Sequence, residues 1–504
     1  MKKLFNFCVT TFAIVTVVSC DNNDEITGMP EEPTVSVGPN LMAYGLTENN
    51  ELVAFNANNP AMFTSKTAIS GIAAGEKLMS IDFRPATGEL YALSNASKLY
   101  IVNTATAASR TVSTTAFTPA IAGTIASIDF NPTVDRIRLV SNTGQNLRLN
   151  PENGALAAMD TSIAASSSIT GIAYTNSKSG ASSTILYDLD MTSGKLFKQD
   201  PPNNGTLVEV GSLGISFTGQ AAFDINPDNS TALMATTKDA KNNLYTLDLT
   251  NGKTTNIGAL SQKVIDLAIP TDAVAYAIDA SNTLQIFNPM KPDPVMKAIT
   301  GLQMGEGILG IDFRPLNGQL YALGSSSRIY TINLGNGAAT QVGSGTLSTP
   351  LVGTEFGFDF NPTVDRIRVV SDFGQNLRLN PMDGSVSGVD GVINPGTPAL
   401  SSAAYSDNFA GTTTTSLFVI DHNTDKLYLQ SPPNAGTLVE RGALGINITS
   451  NNGFDIGSTS QKAYLVATVG TETKIYTVNT TSGAATAVSN YPNMVKGFTV
   501  GLGF

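Results

Sequence analysis

Apolar letters alternate with small or polar ones through most of the chain, in short runs separated by turn residues. Met79-Ser-Ile-Asp-Phe-Arg is followed by Glu89-Leu-Tyr-Ala-Leu, Lys98-Leu-Tyr-Ile-Val-Asn and Arg110-Thr-Val-Ser-Thr. A two-residue period is that of a strand with one face turned to a core. Between the runs stand segments such as Pro85-Ala-Thr-Gly88 and Ser94-Asn-Ala-Ser97, whose chemistry reverses the backbone. No window holds a capped helical period, so the chain is predicted to be all-β.

The runs come in groups of four. Asp82, Asp129, Asp224, Asp266, Asp312, Asp359 and Asp455 each sit among apolar neighbours, with gaps of 47, 95, 42, 46, 47 and 96. Ile172-Ala-Tyr and Ala403-Ala-Tyr occupy the skipped positions without an aspartate. Four-strand units recurring every 40 to 50 or so residues predict a β-propeller. Each half opens on what reads as a second strand, Met42-Ala-Tyr-Gly-Leu or Val274-Ala-Tyr-Ala-Ile. Each closes on the missing first one, Val264-Ile-Asp-Leu-Ala-Ile or Phe498-Thr-Val-Gly-Leu. Borrowing a strand from the far end removes exposed sheet edges. The expectation is two tandem five-bladed units, 42–270 and 271–504. One continuous ten-bladed ring is the alternative, because only Thr271 and Asp272 separate the halves.

The halves also match letter by letter. Asp129-Phe-Asn-Pro-Thr-Val-Asp-Arg-Ile-Arg recurs from Asp359, and extension to Pro151 and Pro381 keeps 20 of 23 positions. Ile81-Asp-Phe-Arg-Pro returns at Ile311, and Pro201-Pro-Asn-Asn-Gly205 returns as Pro432-Pro-Asn-Ala-Gly436. With Gly144-Gln-Asn-Leu-Arg-Leu-Asn-Pro, these motifs resemble a bacterial family catalogued as domain of unknown function 4394. The resemblance covers both halves. It implies a secreted or surface protein and carries no catalytic residue across.

Composition narrows the chemistry. A net charge of −11 and the lack of any basic cluster argue against a nucleic-acid partner. The two cysteines, Cys8 and Cys20, precede the repeats, which leaves no thiolate site or disulfide in them. There is one histidine and no tryptophan.

Lys2 and Lys3 precede an apolar run ending at Val17-Val18-Ser19-Cys20. Its length and flanks are those of a signal peptide, residues 1–19. Its end resembles a lipoprotein box, with Cys20 as the acylated N-terminus; several acyl chains hold a protein on a membrane. Residues 20–41 read as a polar stalk, and its acidic start at Asp21 resembles export signals of surface lipoproteins in Bacteroidetes-type bacteria. The expected address is the outer membrane, with its exterior face as the finer expectation.

The candidate ligand-binding residues are six arginines. Arg136 and Arg138 share one face of a strand and Arg148 lies on the next; Arg366, Arg368 and Arg378 repeat them. Guanidinium groups on one face suit a carboxylate, phosphate or sulfate. The competing expectation pairs them with Asp135 and Asp129, or with Asp365 and Asp359, to pin strands. The recurring aspartates suit calcium or glycosidase chemistry, or else they crosslink the turn after their own strand. Asp421-His422 reads as a hairpin turn, and the Pro-Pro-Asn turns as exposed partner contacts. No metal, cofactor or catalytic set is assigned. The expected role is a non-catalytic binding or scaffolding body for an extracellular glycan, peptide or envelope protein. A carboxylate-dependent glycan-cleaving enzyme is the alternative.

Overall fold

Strand 264–268 lies antiparallel to strand 42–47 across more than two hundred residues of sequence, with Leu267 opposite Gly45. The second half repeats the device: Val500 stands opposite Ala275 and Gly497 opposite Ile278. The computed structural model describes residues 36–238 and 240–504. The expected signal peptide, Cys20 and most of the stalk lie outside the described residues.

The described residues form ten four-stranded antiparallel sheets. Their only helical pieces are two 3-10 turns, Pro202–Asn204 and Pro433–Ala435. No helix among them is long and apolar enough to cross a membrane. In the first half the sheets are led by strands Leu78–Phe83, Ala126–Asn131, Ile169–Tyr174, Ala222–Ile225 and Val264–Ala268. Each leading strand packs on the next in that order, and the last packs on the first. The leading strands Ile308–Arg314, Phe356–Asn361, Leu400–Tyr405, Asn452–Ile456 and Gly497–Val500 do the same in the second half.

The alternation read in the sequence explains where the core sits. Each sheet is buried on both faces, so its side chains feed two clusters, one toward each neighbour. Tyr91, Leu93 and Leu99 of one sheet meet Ile128, Phe130, Ile137 and Leu139 of the next. Tyr321, Leu323 and Ile329 meet Phe358, Phe360, Ile367 and Val369 at the equivalent junction. Junctions that involve the borrowed strands are filled in the same way, by Val53, Phe55, Leu233 and Leu267, and by Ala275, Phe287, Val466 and Phe498. Edge-to-face pairs Tyr91–Phe130 and Tyr321–Phe360, each 5.1 Å between ring centres, add direction to this packing.

The halves touch through polar contacts. Arg84 Nη1 donates to the Gly318 carbonyl at 3.0 Å, and Arg110 donates to the Leu316 carbonyl at 2.6 Å. Tyr276 donates to the Ala86 carbonyl at 2.8 Å.

One residue breaks the packing logic. Asp188 is fully buried, and neither carboxylate oxygen has a hydrogen-bond partner. Val419 stands at the matching position of the second half. Burial holds the Asp188 carboxyl well above its ordinary range. Two buried carboxyl oxygens without a hydrogen-bond partner destabilise the native state. Asp188→Val is therefore expected to raise the unfolding free energy by about 1–3 kcal/mol, read from urea unfolding at neutral pH. A loss of stability would contradict the assignment of Asp188 as an unpaired group.

Candidate functional site

The aspartates meet near the centre of each set of leading strands. Asp82, Asp129 and Asp224 bring carboxylate oxygens within 4.8 Å of one another, as do Asp312, Asp359 and Asp455. All six are buried. Their bonds reach further than the turn crosslinks read from sequence. Asp82 does accept from the N–H of its own next residue, Phe83, at 2.7 Å. Its other oxygen accepts from Phe130 N–H, on the neighbouring leading strand, at 2.7 Å. Asp129 accepts from Tyr174 N–H at 2.9 Å and Asp224 from Ile269 N–H at 2.6 Å. In the second half Asp312 takes Phe360, Asp359 takes Tyr405 and Asp455 takes Val500. A leading strand has one edge without a partner strand, and these carboxylates satisfy its N–H groups.

Charge in these clusters is not neutralised by the bonds alone. Burial, followed by the charge of Asp224, pushes the Asp82 carboxyl well up. Burial, then Asp82, does the same to Asp129. Burial raises Asp224 to about 8, Asp266 to about 7 and Asp455 to about 6. The Thr499 hydroxyl lies 2.9 Å from both Asp312 and Asp455. A hydroxyl has one hydrogen, so a proton on one of those carboxyls completes the contact. Protons and cations compete for such sites, and these carboxylates are the residues able to hold a hard cation. As a glycosidase pair they are badly placed: Asp129 is 3% exposed and Asp359 1%, which leaves no face for a sugar ring.

The arginines lie elsewhere, at the junction of the sheets led by Ala126–Asn131 and Ile169–Tyr174, and of those led by Phe356–Asn361 and Leu400–Tyr405. Arg138 is buried and donates to Asp160 Oδ2 at 2.6 Å, Asn146 Oδ1 at 2.8 Å and Asn203 Oδ1 at 2.7 Å. Arg148 grips both oxygens of Asp160, at 2.8 and 2.9 Å. Arg368, Arg378, Asp390, Asn376 and Asn434 repeat the arrangement. Arg136 and Arg366 each donate to a backbone carbonyl, of Asp135 and Asp365. The carboxylate partners expected from sequence are thus corrected: Asp160 and Asp390 take that place. Asp135, at φ 51° in the left-handed region, turns instead to Arg84, which it meets at 2.9 and 2.5 Å. Asp365 meets Arg314 likewise. The repetition of Asp160 at Asp390 was the overlooked sequence signal.

The remaining candidates are absorbed by turns. Asp421 accepts from Asn423 N–H at 2.9 Å, and Asp425 from Ile448 N–H at 2.9 Å. His422 joins neither carboxylate group. The Pro-Pro-Asn turns, expected as partner contacts, supply Asn203 and Asn434 to the arginines.

A family model described as Domain of unknown function (DUF4394) matches residues 51–268 and again 283–499. No curated protein matches the chain. Two solved structures from B. thetaiotaomicron are similar at 12% and 11% identity, each with a TM-score of 0.27. They are described as the extracellular domain of BT4673, as a hybrid two component system and as a one component system. The match takes in 89% and 90% of this chain, which spans 64% and 65% of theirs.

Two outcomes follow from the geometry. Arg138→Ala and Arg368→Ala each remove a buried guanidinium and leave two asparagine oxygens without that donor, which should cost about 3 kcal/mol in chemical unfolding. Arg148→Ala, at a site one-third exposed, should cost about 1 kcal/mol or less. Equal effects would remove the distinction between buried and rim arginines. The second outcome concerns pH. A carboxyl whose pKa is raised by folding binds protons more tightly in the native state, so stability falls as pH rises from the unfolded value, near 4, to the native one. With native values of about 6, 7 and 8 for Asp455, Asp266 and Asp224, the thermal midpoint should fall between pH 5 and pH 8. Asp224→Asn should lower that slope by about one proton. A midpoint that climbs over the same window would contradict ionisation-linked destabilisation.

Proposed function

We propose that this chain, which belongs to the DUF4394 family and carries its domain twice, is a pair of five-bladed propellers forming a non-catalytic binding or scaffolding body. In this reading a lipid on Cys20 holds it at the outer membrane of a bacterial envelope, and the body faces outward on a stalk. The strand pairings 264–268 with 42–47 and 497–500 with 275–278 support two rings over one of ten blades. Each half then ends where it began, and Thr271-Asp272 serves as the link between them.

The observation that carries the non-catalytic reading is the fate of the duplicated polar residues. Arg84, Asp135, Arg138, Asp160 and Arg148 spend their bonds on one another, and the aspartates spend theirs on backbone N–H groups. A reacting group needs a free bond and an approach for substrate. The membrane partner follows from the acylation pattern, and the soluble partner is an extracellular glycan, peptide or envelope protein.

Cys20→Ser should abolish incorporation of an alkyne-tagged fatty acid and move the protein out of the membrane fraction. Retention of both would end the lipid-anchor reading. In parallel, the wild-type chain should release no reducing ends from envelope polysaccharides. Hydrolysis that disappears in Asp129→Asn or Asp359→Asn would establish the enzyme alternative.

A further inference from the structure

A cleft of about 270 Å³ lies between the halves, away from both carboxylate clusters. The first half contributes Glu89, Thr104, Thr106 and Arg110; the second contributes Asn408 and Phe409. Asn408 is 1% exposed, and its side-chain carbonyl accepts no hydrogen bond. That oxygen is shut off from the cleft as well as from the protein's own donors, so a molecule in the cleft reaches it once the side chain turns. Phe409, the next residue, leaves 41% of its surface exposed.

Charge is already settled within the cleft. Arg110 is paired with Glu89 at 2.9 Å and donates its remaining bonds to the Pro315 and Leu316 carbonyls. No free cation remains there for a phosphate or carboxylate, and no free carboxylate for an amine. What the cleft offers is an exposed aromatic side chain, the hydroxyl-bearing Thr104, Thr106 and Thr459, and an unmet acceptor just behind its wall. Neutral, hydroxyl-rich molecules with one apolar face fit that set: a sugar ring supplies O–H donors at its rim and C–H groups on its face. The volume falls just under the usual range for ligand pockets, roughly 300–1,000 Å³, which suits a single terminal residue of a glycan.

The duplication provides an internal control. Residues Tyr405 to Gly411 correspond to Tyr174 to Gly180, so Ser177 and Lys178 stand where the second half has Asn408 and Phe409. The first-half loop is packed shut: Ser179 lies 2.7 Å from the Tyr276 hydroxyl, and Gly180 presses on Val295. Around Gly411 there is open space. The same loop is therefore a contact on one side and a cleft wall on the other.

We propose that this cleft binds the terminal residue of a neutral saccharide, with the Asn408 side chain turning to accept from a ring hydroxyl and Phe409 packing against the ring face. The proposal rests on the binding reading above and gives it a site and a ligand class. Full-length protein in detergent would be titrated by saturation-transfer NMR with glucose, galactose, mannose, N-acetylglucosamine and their methyl β-glycosides. At least one should bind more tightly than about 10 mM. Asn408→Ala and Phe409→Ala should each weaken it about tenfold or more, with the thermal midpoint no lower than that of the wild type. Phe409→Tyr should retain binding, and Ser177→Ala and Lys178→Ala should leave it unchanged. Failure of every sugar to bind, or binding that ignores Asn408 and Phe409, would overturn the proposal while leaving the non-catalytic reading in place. Capture of short peptides in the cleft in place of sugars would also overturn it. A bound sugar that is hydrolysed would instead defeat the non-catalytic reading and keep the site.

Discussion

The open edge of each leading strand is the constraint on which the rest depends. A strand at the inner end of a four-stranded sheet has one row of backbone N–H groups without a ladder partner, and burial makes each unmet donor costly. This chain answers with side chains from the preceding sheet. Ser80 accepts from Ile128 N–H at 2.9 Å, Asp82 from Phe130, and Asp129 from Tyr174. Carboxylates suit the task because each offers several lone pairs from a short arm. Four aspartates in one half, buried with no counter-charge, are the consequence. Their raised pKa values are a side effect of fastening sheets and need no reaction to explain them.

The same logic accounts for the motifs that repeat most closely. Asp-Phe-Arg-Pro supplies Asp82 and Arg84, and Asn-Pro-Thr-Val-Asp receives them at Phe130 and Asp135. Leu-Tyr-Ala-Leu adds Tyr91, whose hydroxyl donates to the Pro151 carbonyl at 3.3 Å. Gly-Gln-Asn-Leu-Arg-Leu supplies Asn146 and Arg148, and the Pro-Pro-Asn turn supplies Asn203, around Arg138. Every long motif is thus one side of a joint between adjacent sheets. A joint needs both halves of its contact to persist, which keeps long runs of letters matched where an isolated apolar position can drift, as Leu139 has to Val369.

Much of this was legible before any coordinates. Alternation gave the strands, and the spacing of the aspartates gave the four-strand unit. The displaced first strands, Val264 and Phe498, gave the pairing of chain ends. What stayed hidden was direction across sheets. Strand periodicity says which face a side chain takes, but which neighbouring sheet it meets depends on packing between elements. Arg138 was therefore paired on paper with nearby Asp135, while folding brings it to Asp160 and to Asn203, 65 residues away. The left-handed backbone at Asp135, which sends that side chain toward Arg84, is a local conformation that composition alone does not announce.

Where the copies disagree is more informative than where they agree. Ser80 and Ser127 bridge to the next leading strand through their hydroxyls. The second half has Gly310 and Gly357 there instead, with strands so close that an added Cβ would stand 2.7 Å from the Cβ of Phe358 or Ala403. One half spans the gap with hydroxyls; the other closes it with glycine. Both solutions keep the sheets together, so the two halves meet one mechanical need by different contacts. The difference at Asn408 and Phe409 has another character. Ser177 and Lys178, at the matching loop, sit where the chain packs against its other half, whereas Asn408 holds an unmet acceptor just behind the wall of an open cleft. A scaffold that needed only to hold shape would gain nothing from an amide carbonyl left without a donor, because removing or satisfying it stabilises the fold. Asp188 also lacks a donor but lies outside the cleft, so what sets Asn408 apart is the conjunction of an unmet acceptor, an open cleft and the exposed Phe409 beside it, and the saccharide proposal rests on that conjunction.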